Sequence, residues 1–306
     1  MQNLAPIILF AYNRPEHLTR TLAALSDNEL ASDSILIIYC DGAKKDASKE
    51  EQKAIAQVRK IAYAQMWCKE LKVVEQTENK GLAESIINGV AEITSKYGKA
   101  IVLEDDILTS KFFLRFMNDA LNVYEKEDTV LSIGACNFFA HGDNIPETFF
   151  VPIPDCWGWA TWKNRWELFE RDGQKLLNLL KEKQLLKAFN LGGRYDFEQM
   201  LKDQIEGKNN SWAIRWQALA YIQNKLALYP KKPQSHNIGF GKNSTNTKNS
   251  NEVFNTYHLL HQKVEVRAQK IETNENVMKG MYSSHTKSFG APSFFNRIRT
   301  FISFKK

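Results

Sequence analysis

The sequence predicts an α/β fold built on a doubly wound, mainly parallel sheet, and three observations carry that expectation. Five short, apolar, β-branched runs recur in the first half of the 306-residue chain. Helix-patterned segments separate them at about thirty-residue spacing, as crossovers between parallel strands require. Each of the first four runs ends in polar residues, and such sheets collect their chemistry at the carboxyl ends of strands.

The elements follow in order. "PIILFAY" (6–12) is uniformly apolar, as for a strand buried on both faces. "PEHLTRTLAAL" follows as a helix, with Pro15 suited to its first turn. "SILIIYC" (34–40) is the second strand, and "SKEEQKAIAQVRKIAYAQMW" the second helix, capped by Ser48. "LKVVEQ" (71–76), "AIVLE" (100–104) and "VLSIGA" (130–135) read as further buried strands. "GLAESIINGVAEITSKY" and "KFFLRFMNDALNVYEK" are the helices between them. The second half changes character, since six of the seven Trp residues fall between 157 and 216. There "QKLLNLLKEKQLLKAF" (174–189) reads as one amphipathic helix, and "FGKNSTNTKNSNEVFN" (240–255) as a mobile loop. These shifts divide the chain into a regular half over 1–150, a less regular half over 151–285 and a tail over 286–306.

Composition narrows the classes. A hydrophobic fraction of 43% and a charged fraction of 25% are ordinary for a soluble globular chain. The net charge of +6 lies entirely after the last acidic residue, Glu275, on Lys279, Lys287, Arg297, Arg299, Lys305 and Lys306. A nucleic-acid-binding body would carry its basic patch on the fold, so no nucleic-acid partner is expected. Cys40, Cys68, Cys136 and Cys156 show neither metal-ligand nor disulfide-framework spacing, which fits a reducing, cytoplasmic setting. The opening residues lack the basic lead of a signal peptide, and no stretch approaches the roughly 18 apolar residues of a membrane span. In the tail, Phe294, Phe295, Ile298, Phe301 and Ile302 share one arc of a helix flanked by Arg297 and Arg299. That pattern suits docking of residues 292–306 to an anionic membrane surface on the inner face. Packing of the same helix on the body or on a second subunit is the alternative.

The strongest chemical signal is Glu104-Asp105-Asp106, placed directly after "AIVL". Three adjacent carboxylates repel, and a bound cation rewards their clustering. Mg²⁺ or Mn²⁺ takes one or two carboxylates together with phosphate oxygens, so a sugar diphosphate is a natural substrate. The other strand ends present Asn13-Arg14, Asp41-Gly42 and Glu78-Asn79-Lys80-Gly81. Together with the triplet they read as one site.

The ordered set "PIILFAYNRPEHLTRTLAAL", "YCDG", "ENKGLAESI", "AIVLEDDILTSKFFLRFM", "CWGWATWKNRW" and "YPKKPQSHNIGFGKNST" resembles the GT-A-fold glycosyltransferases, over most of residues 4–245. The nearest likeness is to bacterial family-2-like sugar transferases of surface polysaccharide synthesis. A more distant one is to the N-acetylglucosaminyltransferase I group, which shares the "EDD" form of the metal motif. The resemblance implies a nucleotide-sugar-binding first half and an acceptor-side second half. It implies a hexosyl- or N-acetylhexosaminyltransferase, dependent on Mn²⁺ or Mg²⁺, that moves a sugar from a UDP-linked donor to a glycan or lipid-linked acceptor, with inversion. Asp106 would hold the metal, and Glu104 and Asp105 would support it and contact the ribose. Asp41 would accept a hydrogen bond from uracil, Arg14 would lie near the base or diphosphate, and Lys80 and Gly81 would approach the nucleotide. His236, with Asn237, would lie near the site, as a metal or phosphate contact or as a structural histidine.

The second half departs from the pattern. The N-acetylglucosaminyltransferase I group carries a basic aspartate after a Trp, where "SWAIRW" has Ala213. An inverting transfer needs a carboxylate to take the acceptor proton. Asp203 is the expected base, with Glu206 and Asp196 nearby. Trp157, Trp159, Trp162 and Trp166 fall within ten residues. Indole rings suit the apolar faces of sugars and equally suit a core. Gly158 between two Trp fits close approach to a ligand, Asp155 could bind a sugar hydroxyl, and Trp162 and Trp166 share a helix face if that segment is helical. Two other classes compete: a nucleotidyltransferase or metal-dependent phosphohydrolase, and a non-catalytic glycan-binding protein. A nucleotidyltransferase should carry a Gly-rich basic loop after the first strand, and a phosphoaspartate hydrolase an Asp where Asn13 stands. A non-catalytic glycan-binding protein would leave Asp41 and the triplet unexplained.

Overall fold

A computed structural model of the chain describes residues 4–137, 144–239 and 261–283. The strands are β1 (Ile7–Ala11), β2 (Ile35–Cys40), β3 (Glu70–Glu75), β4 (Lys99–Glu104), β5 (Ile107–Thr109), β6 (Val130–Gly134), β7 (Thr148–Val151), β8 (Trp159–Trp162), β9 (Leu226–Pro230) and β10 (Ser235–Asn237). The helices are α1 (Pro15–Ser26), α2 (Lys49–Ala62), α3 (Leu82–Tyr97), α4 (Phe113–Val123), α5 (Lys163–Trp166), α6 (Gly173–Glu182), α7 (Leu186–Phe189), α8 (Phe197–Ile205), α9 (Trp212–Ile222) and α10 (Glu275–Ser283).

Eight strands form one sheet in the order β3-β2-β1-β4-β8-β6-β9-β7. The pairs β1–β2, β1–β4, β2–β3 and β6–β9 are parallel, while β8 runs antiparallel to both β4 and β6. It follows that β1, β2, β3, β4, β6 and β9 all point the same way. Their carboxyl ends, with the amino end of β8, share one edge. The expected doubly wound α/β class is the observed one. Residues 150 and 151 mark no break in the sheet, because β8 and β9 from the second half are woven among strands of the first.

Alternation along the strands builds the two faces. Ile7, Leu9 and Ala11 of β1 join Leu36 and Ile38 of β2 beneath α1, α2 and α4. Ile8, Phe10, Ile37 and Tyr39 point the other way, beneath α3, α5 and α9. A further apolar cluster links β7 and β9 to α6, α7, α8 and α9. Local signals set the helix starts as expected: Pro15 opens α1, and Ser48 Oγ accepts the Glu51 amide at 3.1 Å to cap α2.

Several expectations need correction. Strand β3 is not buried on both faces; it is the sheet edge, and its residues are exposed or half-buried. The single helix over 174–189 is two, α6 and α7, separated where Gln184 takes a φ of 55°. Trp162 and Trp166 do not share a helix face. Trp162 ends β8 and packs on the α4 side, while Trp166 ends α5 and packs on the opposite side. The loop over 240–255 and the tail over 286–306 lie outside the described residues. Among the described residues, no helix is long and apolar enough to cross a membrane, and the four cysteines are free thiols.

Trp159 sits at the centre of the α3–α9 face, 1% exposed, with ring centroids 5.1 Å from Trp212 and 5.4 Å from Trp166. Trp159→Ala is expected to lower the unfolding free energy by about 3–5 kcal/mol. Urea denaturation checks this, and a loss below about 1 kcal/mol would contradict the packing described.

Candidate functional site

The strand-end edge gathers the polar residues that the sequence flagged. Strand β4 delivers the triplet, and the parallel register Phe10↔Glu104 sets the exit of β1 beside it. Arg14, four residues beyond Phe10, donates from Nη1 to Asp106 Oδ2 at 2.7 Å, and its other terminal nitrogen pairs with Asp105 Oδ1. The two aspartates are 3% and 0% exposed. Burial works against the Arg14 charge, and the adjoining carboxylates more than offset it, holding its pKa above the ordinary guanidinium value. Thr21 Oγ1 of α1 donates to the Asp105 carbonyl at 2.8 Å, fixing the turn. Tyr12 and Asn13 both donate to Glu51 of α2, at 2.9 and 3.1 Å, and so hold the β1 exit.

Asp41 at the end of β2 works on the neighbouring loop. Its oxygens accept from the amides of Gly42, Lys80 and Gly81, at 2.9, 2.8 and 2.9 Å, and from Asn79 Nδ2 at 3.0 Å. Four donors match the roughly four lone-pair positions of a carboxylate. Asp41 therefore fixes the 79–81 loop at the start of α3, and a uracil N–H would reach it by replacing one of these donors. Lys80 is exposed at this turn, with its side chain available to an anion.

The far side of the edge comes from the second half. The ribbon β5–β10 pairs His236 with Leu108 and Asn237 with Ile107, and the Ile238 amide continues it to the Asp106 carbonyl at 2.8 Å. The Asp106 carboxylate lies on the Asn237–Gly239 side of the ribbon, and His236, adjacent to Asn237 in the strand, faces the other way. Gly239 lies so close that a Cβ there would sit 2.3 Å from Asp106 Oδ2. Sequence reasoning gave Gly239 no role, although the "IGFG" spacing was a usable signal of close backbone approach.

A divalent ion can be tested against these donors. Burial and the charge of Arg20 lower the His236 pKa, which favours the neutral imidazole that metals take. The Asp106 carboxylate suits Mn²⁺ or Mg²⁺, provided that phosphate oxygens, water and a second protein donor such as His236 complete the shell. No group of three or more protein ligands is assembled among the described residues. Arg14 already holds Asp106, so an ion there shares or displaces that contact.

Other expected residues lie elsewhere or act differently. Trp157 and Trp159 are 5% and 1% exposed and pack in the core on opposite sheet faces, so sugar stacking is not their role. Gly158 serves packing as well. Its φ is +86°, and a Cβ would meet Ser235 at 3.1 Å, where the ribbon crosses the β8 entry. Asp203 is buried on α8, where Gln199 Nε2 donates to it at 2.9 Å and Lys208 Nζ lies 3.9 Å away. Glu206 pairs with Lys208, and Asp196 caps α8 by accepting the Gln199 amide at 3.2 Å. These contacts hold all three carboxylates to their own helix and its exit rather than to the strand ends.

Asp155 differs. It enters β8, whose first residue Trp159 pairs with both Val102 of β4 and Gly134 of β6, so it lies at the strand-end edge. It is 8% exposed; Oδ1 accepts the Cys156 amide at 2.7 Å, the Trp157 and Cys136 amides support the carboxyl more weakly, and buried Oδ2 makes no close hydrogen bond. Burial raises its pKa to about 7, the amides of Cys156, Trp157 and Cys136 oppose that rise, and the charge of Glu104 adds to it.

The Asp155 pKa has a consequence for stability. The folded value near 7 exceeds the roughly 3.9 of an exposed aspartate, so folding takes up a proton between those values. Stability then falls as pH rises through that window. Asp155→Asn removes the ionisable group. The variant is expected to exceed wild type above pH ~7 by up to about 4 kcal/mol, the advantage fading as pH drops toward ~4. Urea denaturation near pH 5 and near pH 8 checks this; equal pH slopes for the two chains would contradict it.

Residues 7–179 match the sequence model of glycosyl transferase family 2. Among solved structures, the chain is similar to a UDP-glucose pyrophosphorylase complexed with UDP-glucose, at 11% identity and a TM-score of 0.36, over 74% of this chain and 90% of that one. It is similar to an apo UDP-glucose pyrophosphorylase at 12% identity and a TM-score of 0.33, over 77% and 94% of the two chains. No curated protein matches. The family match covers more than half of the sequence, from β1 through the carboxylate triplet into α6, and on that ground the chain belongs to glycosyl transferase family 2.

Proposed function

We propose that the chain transfers a hexosyl or N-acetylhexosaminyl group from a uridine-linked nucleotide sugar to a hydroxyl of a glycan or lipid-linked glycan, with inversion, in surface polysaccharide synthesis. One observation carries the reading: the ends of β1, β2 and β4, neighbours in the sheet, converge on Arg14, Asp41 and the buried pair Asp105–Asp106. A nucleoside diphosphate laid across those ends meets each group in turn. Asp41 and the 79–81 loop would face the base, Glu104 and Asp105 the ribose, and Arg14 the diphosphate.

A divalent ion, Mn²⁺ or Mg²⁺, would be held by Asp106 and His236. When bound, it supplies positive charge to the departing nucleoside diphosphate. Arg14 gives the same edge a guanidinium, which can trade an aspartate oxygen for a phosphate oxygen without losing its hydrogen-bond geometry. Lys80 adds a flexible cation at the loop. The acceptor would enter from the side of β10 and the β8 entry, and the basic segment 292–306 would keep the chain on an anionic inner leaflet where lipid-linked acceptors lie.

Screening UDP- and GDP-sugars for Mn²⁺-dependent hydrolysis identifies the donor. Asp106→Asn is expected to abolish metal-dependent donor binding while far-UV circular dichroism stays at wild type. Unaltered turnover by this variant would refute the placement of the donor.

A further inference from the structure

We infer that Asp155 is the general base of the transfer, taking the proton of the attacking hydroxyl. The inference rests on the transferase reading above and adds the identity of the group that activates the acceptor.

The carboxylates expected as the base are held elsewhere. Asp203, Glu206 and Asp196 of the second half have partners on α8 or its exit. Asp155 sits instead where the β8 entry passes between the ends of β4 and β6. Several bonds fix that entry: Ala135 donates its amide to the Gly158 carbonyl at 3.0 Å, Ser235 Oγ donates to the Trp157 carbonyl at 2.5 Å, and Tyr229 Oη donates to the Ile153 carbonyl at 2.7 Å. The carboxyl group is thus carried on a backbone held from β6, β9 and β10 at once. Such rigidity is what a base needs to meet a reacting hydroxyl at a set distance.

The Asp155 carboxyl is also under-satisfied. Its Oδ2 is buried without a close hydrogen bond, the Trp157 and Cys136 amides supporting the carboxyl less than the Cys156 amide does; an under-satisfied buried oxygen is a cost that folds retain where function needs it. The groups facing Asp155 explain its basicity. Glu104 approaches from β4, Cys136 from the end of β6 and Tyr229 from β9, with Cys156 beside it in the chain. Burial and the Glu104 charge both favour the protonated form. The ionised carboxylate is therefore a stronger proton acceptor than an exposed aspartate, and it is still populated near neutral pH.

The step balances. The acceptor oxygen forms a bond to the anomeric carbon as the bond from that carbon to the diphosphate oxygen breaks. The electron pair leaves with the nucleoside diphosphate, and the hydroxyl proton passes to the Asp155 carboxylate.

Asp155→Asn keeps the size of the side chain and an oxygen to accept the Cys156 amide while removing the ionisable group. Asp155→Glu, which keeps the charge but moves it, serves as the second variant and should also lose turnover while binding UDP as wild type does. UDP binding is measured by titration calorimetry, and UDP release is followed with the UDP-sugar that the wild type hydrolyses fastest, water standing in for the acceptor. Asp155→Asn is expected to bind UDP as wild type does and to lose about 10²–10⁴-fold in kcat. The wild-type rate should rise with pH through about 7, and that limb should vanish in Asp155→Asn. Wild-type turnover by Asp155→Asn, or an unchanged pH limb, would overturn the assignment while leaving the transferase reading intact. A wild-type chain that binds no UDP and hydrolyses no nucleotide sugar would overturn both.

Discussion

The site depends on one guanidinium. Asp105 and Asp106 sit side by side at 3% and 0% exposure, an arrangement that mutual repulsion and lost hydration would ordinarily forbid. Arg14 bridges them. Taking one partner from a buried ion pair typically costs about 3–5 kcal/mol, so the bridge and the fold around it are mutually dependent. The parallel pairing of β1 with β4 is what brings Arg14 to this place. The Thr21 bond to the Asp105 carbonyl and the β5–β10 ribbon then keep the turn from opening.

The edge has two sides with different origins. Strands β1 to β4 and their loops, all within the first 106 residues, provide the charges suited to a nucleoside diphosphate. The β8 entry and β10 come from residues far along the sequence and are stitched back by antiparallel pairing. A sheet that continues across both sets lets one rigid body hold the two sides in register. The Trp cluster belongs to this scaffold. Trp159, Trp166, Trp212 and Trp216 fill the α3–α9 face, while Trp157 and Trp162 pack on the other face of the sheet.

Much of this was legible in the sequence, for local reasons. Strands β1, β2, β4 and β6 and helices α1 to α4 have strong apolar patterns with caps or polar ends, and the strand-end positions of Arg14, Asp41 and Asp106 follow from them. What escaped was set by tertiary context. Strands β7, β8 and β10 are three or four residues long, too short for periodicity to register, and exist because a neighbouring strand pairs with them. The exposure of β3 reflects its place at the sheet edge. Nothing local tells an indole that stacks on a sugar from one that fills a core, and burial decided for Trp157 and Trp159. Asp203 and Asp155 are alike as sequence; only packing shows that one is engaged by its own helix while the other has a buried oxygen without a close hydrogen bond.

The central claim is that the Arg14–Asp105–Asp106 cluster is the diphosphate end of a nucleotide-sugar site. Crystals grown with Mn²⁺ and UDP test it most directly. The account predicts diphosphate density against Arg14, an ion bound at Asp106 and the uracil toward Asp41. UDP bound away from these strand ends, with the Arg14 bridge undisturbed, would contradict it.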